Sequence, residues 1–180
     1  MSCTGSIPNP YNGKADWIGY WIFQHGPTLS ADTIIISDCA QAVMFQGLDA
    51  SLNRNLVIFS EAGFVFSNTT TISSTDGGQR NLYLIQPYDA VSVHPCTTQD
   101  GISLDNQVTV TPEVSVLLYS PCNIRKANNT THYGQIYAGG VANINNKLTM
   151  YYDPLPVHGT QASSTIESYS LEIQFKRENA

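Results

Sequence analysis

The sequence predicts an all-β domain whose strands form a parallel β-solenoid (β-helix) with an irregular N-terminal cap. Helical periodicity is scarce, and short runs of β-branched and aromatic residues recur. A short motif that contains an asparagine also recurs along the chain. A β-sandwich whose turns resemble one another by chance is the alternative. The 180 residues are enough for one domain with a sizeable core.

Short apolar runs mark the predicted strands. They lie at 55–59, 63–66, 81–85, 114–119 and 148–152. The best helical candidate is 38–48 (DCAQAVMFQGL), where Cys39, Val43 and Leu48 share a face and Gly47 limits the helix to about two turns.

The repeated motif reads apolar, any, apolar, any, Asn, polar residues, apolar, any, apolar. Copies occupy 64–72, 102–110 and 142–150, and a degenerate copy occupies 124–133. Each copy predicts two short strands joined at a corner, where asparagine accepts left-handed or turn geometry. Stacked corners would align these side chains, so that their amides form a ladder.

The intervals between the corner asparagines set the predicted coil length. Asn68, Asn106, Asn129 and Asn146 are separated by 38, 23 and 17 residues. These intervals predict a coil of about 20 residues, with two coils in the first interval.

The chain divides into three segments of a single domain. Residues 1–47 are assigned to an N-terminal cap, in which Trp17, Trp21 and Phe23 cover the first coil. Residues 48–157 are assigned to the solenoid. Residues 158–180 are assigned to a C-terminal linker and a closing strand, because the apolar residues of 166–175 largely alternate.

The four cysteines indicate disulfides and therefore an extracellular or cell-surface location. None belongs to a CxxC motif, which disfavours a zinc or redox site. Three connectivities are open, and we favour Cys96–Cys122 with Cys3–Cys39; four buried free thiols are the alternative. Since no signal-peptide pattern begins the chain, we expect a mature ectodomain whose N-terminal anchor is missing.

The charge balance disfavours two classes of partner. Only 12% of the residues are charged, Lys and Arg number 8, and the formal net charge is −6. Nucleic-acid binding and docking on anionic lipid both need clustered basic residues. No apolar window has the length of a membrane span, so no membrane contact is expected from this segment itself.

Two pairs of segments resemble a known family. The segments 64–70 with 81–85, and 133–140 with 150–154, resemble the secreted C-terminal domains of bacterial type IV pilus-associated, PilX-like proteins, especially those of actinobacteria. The resemblance covers 48–157. It implies a β-solenoid behind a pilin-like membrane helix, an accessory or minor role in a surface filament, filament subunits as partners and no assigned enzymatic activity or functional residues.

Motifs for catalysis are scarce. The histidines His25, His94, His132 and His158 are far apart in the chain, and HExxH, GxSxG and phosphate-loop motifs are missing. We therefore predict no enzyme, catalytic residue, cofactor or metal site. The alternative function is a carbohydrate-active enzyme, a lyase or glycoside hydrolase, that uses carboxylates on the solenoid surface. Candidates for that role are Asp89, Asp100 and Asp105.

Tyrosines supply the predicted binding site. A stripe of exposed tyrosines would offer aromatic faces to a surface glycan or to a protein. Its candidate members are Tyr83, Tyr88, Tyr119, Tyr133, Tyr137, Tyr151 and Tyr152, of which the last five are the main site residues. The alternative is that most of them are half-buried structural residues. The sequence thus favours an extracellular structural or adhesive domain.

Overall fold

The computed structural model describes residues 17–37, 41–47, 49–87, 96 and 100–155. In this part of the chain, 14 strands wind into a parallel β-solenoid of about 5 coils. The predicted fold class is therefore confirmed, and the alternative β-sandwich is excluded because every strand pair among the described residues is parallel. The five apolar runs predicted as strands between residues 55 and 152 each overlap an observed strand.

The chain order of the elements gives three strands to each coil. Helix α1 (Trp17–His25) and a 3-10 helix (Gly26–Thr28) precede the strands β1 (Thr33–Ser37), β2 (Val43–Gln46), β3 (Ala50–Leu52), β4 (Leu56–Ser60), β5 (Phe64–Asn68), β6 (Thr70–Ser74) and β7 (Arg80–Ile85). The later strands are β8 (Asp100–Leu104), β9 (Val108–Val110), β10 (Val114–Ser120), β11 (Asn123–Lys126), β12 (Thr130–Ala138), β13 (Ala142–Ile144) and β14 (Leu148–Tyr152).

The strands stack into three faces. Face A contains β1, β4, β7, β10 and the second half of β12; face B contains β2, β5, β8, β11 and β13; face C contains β3, β6, β9, the first half of β12 and β14. Because β12 runs through the corner between faces C and A, these two faces form one nine-stranded sheet.

Gly134 allows β12 to turn this corner. Its φ is 124°, in the left-handed region that L side chains rarely adopt. A Cβ atom at this position would also lie 2.2 Å from the carbonyl oxygen of Val116 in the neighbouring strand. Both the backbone conformation and the close approach of β10 therefore require glycine here.

The core is a stack of inward-facing ladders. On face B, Phe45, Phe66, Leu104 and Lys126 follow one another from coil to coil. The rings of Phe45 and Phe66 stack with centroids 4.5 Å apart, a contact that adds about 1 kcal/mol beyond burial. Lys126 is 2% exposed, and its ammonium group donates hydrogen bonds to the carbonyls of Asn128, Asn145 and Lys147. Ile144 of β13 follows it in the last coil.

The N-terminal end of the solenoid is covered by α1, which the sequence did not predict. Ile18 and Ile22, four residues apart on this helix, are buried in the core, whereas Phe23 is 36% exposed. Trp21 packs on the core only in part. The predicted helix at 38–48 is wrong, because residues 43–46 form β2. The first coil begins at Thr33, earlier than the predicted boundary of the cap.

The coil length was predicted correctly except in the first interval. Phe64 of β5 pairs directly with Ile102 of β8, so the 38-residue interval holds one coil and not two. The additional residues lie between the end of β7 and the start of β8. This connection is fastened to the corner between β10 and β11 by the predicted disulfide Cys96–Cys122, whose Cα atoms are 5.1 Å apart. Cys3 and Cys39 lie outside the described residues, as does the predicted closing strand at 166–175.

The predicted corner asparagines line the corner between faces B and C, but their amides bond mainly to the backbone and not to one another. The side-chain amides of Asn106, Asn128 and Asn146 each donate a hydrogen bond to a backbone carbonyl of the preceding coil, those of Ser67, Asp105 and Ala127 respectively. The Asn128 amide also lies 3.3 Å from the Oδ1 atom of Asn106. The aligned residue of the fourth coil is therefore Asn128, not Asn129. Asn146 adopts a φ of 60°, the geometry that the corner was expected to need.

A separate strap returns along the outside of face A. After β14, Asp153 accepts a hydrogen bond from Ser115, and Leu155 packs on Val57 and Tyr83. The chain thus leaves the last coil by running back over face A. Among the described helices, none has the length and apolarity of a transmembrane span.

Candidate functional site

Face C carries a column of threonines that runs along the solenoid. Thr71 of β6 pairs with Thr109 of β9, Thr109 with Thr131 of β12, and Thr131 with Thr149 of β14. All four side chains are partly exposed, because their neighbours in each strand point inward. We call Thr71, Thr109, Thr131 and Thr149 the threonine column.

A shallow groove of about 160 Å³ lies over three members of this column. The groove is lined by hydroxyl groups, amide groups and one ammonium group. The lining residues are Gln107, Thr109, Asn129, Thr130, Thr131, Lys147 and Thr149. Within the described part of the chain, no hydrogen bond engages the hydroxyls of Thr109, Thr131 or Thr149. These groups remain available to a ligand as donors and acceptors.

Two stacked tyrosines stand beside the groove. Tyr133 and Tyr151 follow Thr131 and Thr149 by two residues, so they lie on the same outer side of face C. Their ring centroids are 4.4 Å apart and their planes differ by 11°. Strand pairing between β12 and β14 enforces this arrangement, since Tyr133 and Tyr151 are directly paired residues.

The surroundings of this pair shift the pKa of Tyr133. Desolvation, followed by the neighbouring Tyr151 and the Glu113 carboxylate, raises the pKa of Tyr133. The pKa of Glu113 is lowered, chiefly by the nearby Thr111 hydroxyl. A tyrosine hydroxyl is protonated at neutral pH even at its ordinary pKa, so Tyr133 can donate a hydrogen bond to a ligand.

The other predicted tyrosines extend this surface around the corner onto face A. Tyr119 pairs with Tyr137, and the two are 37% and 51% exposed. Tyr152, at 57% exposure, accepts a hydrogen bond of 3.2 Å from the amide of Gln135. We call this group, together with the stacked pair, the tyrosine patch: Tyr119, Tyr133, Tyr137, Tyr151 and Tyr152.

Two further candidates do not join the patch. Tyr83 is only 4% exposed because Leu155 of the strap packs against it, so its inclusion was wrong. Tyr88 lies outside the described residues.

The threonine column was missed, although the sequence contains a signal for it. Each member follows a corner asparagine by three residues: Asn68 precedes Thr71, Asn106 precedes Thr109, Asn128 precedes Thr131, and Asn146 precedes Thr149. The signal was hidden because Asn129 was aligned in place of Asn128.

The candidate carboxylates and histidines that the structure describes are dispersed, whereas His94 and His158 lie outside the described residues. Asp105 forms an ion pair of 2.6 Å with Arg125 and accepts a hydrogen bond from Ser103. Asp89 lies outside the described residues. His25 belongs to α1 at the N-terminal end, whereas His132 is buried in the fourth coil. Within the described ranges, no group of three or more His, Cys, Asp or Glu side chains is arranged to hold a metal ion.

Comparisons with protein-family models, with curated proteins and with solved structures find no significant match to this chain.

Proposed function

We propose that this protein is a non-catalytic, extracellular binding domain whose tyrosine patch and groove bind a surface glycan. The observation that carries the proposal is the stacked pair Tyr133–Tyr151 beside a groove of hydroxyl and amide groups. An adhesive role follows from such a surface on a stiff scaffold.

The stacked tyrosines and the polar groove would bind complementary parts of a sugar. The apolar faces of sugar rings pack on aromatic side chains, which combine a large apolar area with a polar edge. The sugar hydroxyls then need donors and acceptors nearby, and Gln107, Asn129 and the threonine column offer both. Lys147 is the single charged residue in the groove lining, which suits a ligand of low charge.

We further propose that the domain acts at the cell surface, as an accessory or minor component of a type IV pilus-like filament. The disulfide Cys96–Cys122 supports export, since such bonds persist in oxidising compartments. The filament part of the proposal rests on the short segments within 48–157 that resemble PilX-like domains. Antibody detection of the protein in surface filaments sheared from its native cells would test this role, and its restriction to the cytosolic fraction would refute it.

The glycan proposal is tested with the intact, oxidised protein on an array of surface polysaccharides. The variant Tyr151→Ala removes one ring of the stack on an exposed strand, so we expect the affinity for the best-bound glycan to fall at least tenfold. Phe23→Ala is the matched control, because Phe23 is a partly exposed aromatic residue on α1 at the other end of the solenoid. Equal binding by both variants and the wild type would exclude the tyrosine patch as the site.

A further inference from the structure

The outer surface of face C repeats with the period of the solenoid. Thr71, Thr109, Thr131 and Thr149 present the same hydroxyl in four successive coils. Neighbouring strands lie about 4.8 Å apart, so the column spans about 14 Å parallel to the solenoid axis. A ligand that lies along this direction meets an identical group at every coil.

The residues on either side of the column also repeat from coil to coil, parallel to the solenoid axis. On one side, Gln107, Asn129 and Lys147 occupy equivalent positions of three coils, since each precedes its threonine by two residues. On the other side, the stacked rings of Tyr133 and Tyr151 also follow one another along the axis. The groove is therefore elongated across the strands rather than along them.

The charge of this surface restricts the ligand further. Of the seven residues that line the groove, four are threonines and two carry amides. Lys147 supplies the one charged group. A nucleic acid would need several cations to neutralise its phosphates, and this surface does not provide them. A polymer of uncharged, hydroxyl-bearing units is the complementary ligand.

We propose that the glycan is a linear, uncharged polysaccharide that lies along the solenoid axis, with consecutive sugar units bound by consecutive members of the threonine column. The inference rests on the glycan-binding function proposed above. One sugar ring packs against Tyr133 and Tyr151 near the C-terminal end. The chain then extends over Thr131 and Thr109 toward Thr71, one coil after another.

The experiment measures affinity against ligand length. Linear oligomers of glucose, N-acetylglucosamine, mannose and galactose, each from the monosaccharide to the hexasaccharide, are titrated into the oxidised protein by calorimetry. Affinity should rise with each added unit until the oligomer covers the column. An affinity that is constant from the disaccharide upward would overturn the axial arrangement.

Valine variants test the direction of the chain. Valine has nearly the shape of threonine, lacks the hydroxyl and suits a β-strand, so the fold is preserved. Thr131→Val should weaken binding of every oligomer about fivefold, the effect of one uncharged hydrogen bond. Thr71→Val should weaken only the longest oligomers, because Thr71 lies farthest from the stacked tyrosines. Thr75→Val, in the exposed turn after β6, is the control and should change nothing.

The two proposals fail in different ways. In one outcome, oligomers bind, Tyr151→Ala abolishes binding, and Thr131→Val and Thr71→Val bind like the wild type. The site then holds a single sugar, so the axial polysaccharide is refuted but glycan binding is upheld. If none of the four oligomer series binds, both proposals are refuted. Circular dichroism and the melting temperature of each variant verify that the fold is intact.

Discussion

Protonation of His132 should destabilise the fold in mildly acidic solution. This side chain lies on the inward side of β12 and is 2% exposed. Its Nε2–H group donates a hydrogen bond of 3.0 Å to the carbonyl of Val116. Burial lowers the pKa of His132 to about 4, although its backbone hydrogen bonds to Val116 and Gln135 oppose this change.

The sign and the size of the effect follow from this pKa. The folded protein favours the neutral imidazole, so the contribution of His132 to stability is complete above pH 6.5, the ordinary pKa in the unfolded chain. It is lost as the pH falls from 6.5 toward 4, since the unfolded state then binds a proton that the folded state excludes. The expected loss of unfolding free energy is about 2 kcal/mol at pH 5 and about 3 kcal/mol at pH 4.

This loss is measured by urea unfolding of the oxidised protein at about pH 7.5 and about pH 5, with far-ultraviolet circular dichroism as the probe. The comparison is with His132→Gln, which retains an amide donor for the Val116 carbonyl but has no ionisable group. The wild type should lose about 2 kcal/mol more than this variant between the two pH values. His25→Gln, on the exposed side of α1, should lose as much as the wild type. Parallel losses in the wild type and in His132→Gln would refute the reasoning.

Three further predictions concern stability. Replacing Cys96 and Cys122 together by serine opens a loop with a sequence separation of 26 residues, which should lower the unfolding free energy by about 3 kcal/mol and the melting temperature by about 10 °C in calorimetry. Lys126→Met leaves one part-buried carbonyl, that of Asn145, without a described donor, so chemical denaturation should detect a loss of about 1–2 kcal/mol; a loss below about 0.5 kcal/mol would mean that the ammonium group is not needed. Gly134→Ala should prevent soluble folding, because its Cβ would meet the Val116 backbone, whereas Gly77→Ala, at a φ of 74° with open space around it, should cost only about 1 kcal/mol and remain soluble.

The fold could be predicted because the repeated motif encodes a corner directly. Two inward apolar residues, an asparagine and two further inward residues are enough to define strand, bend and strand. The structure confirms these corners at Asn106, Asn128 and Asn146, where the amides bond to the preceding coil. Local sequence and tertiary packing agree at these positions, which is why sequence reasoning succeeded there.

The predictions of secondary structure were wrong where tertiary contacts, and not the local sequence, determine whether a segment forms a helix or a strand. The apolar residues of 38–48 have helical spacing, yet 43–46 form β2 because Val43 and Phe45 stack on Phe64 and Phe66 of the next coil. Conversely, α1 was missed because its sequence, WIGYWIFQH, is apolar on almost every side. Gly19 permits its docking, since a Cβ there would lie 2.2 Å from the carbonyl oxygen of Met44.

The candidate site was found only in part. Exposed tyrosines could be expected from composition and alternation, but their grouping depends on strand pairing that crosses coils. Tyr83 and Tyr119 both face outward on face A, and only the return of the chain at Leu155 buries the first of them. No local pattern in the sequence specifies where that strap crosses.

The threonine column and the fold depend on the same spacing. The corner asparagine fixes where each strand of face C begins, and alternation then directs the residue three positions later outward and its neighbours inward. An insertion of one residue between Asn128 and Thr131 would reverse this alternation, turning Thr131 into the core and exposing His132. A spacing error in one coil would therefore damage the core and the proposed binding surface together. For this reason the interval of three residues is expected to tolerate substitutions at its first intermediate position, as Gln107 and Lys147 illustrate, but no change of length.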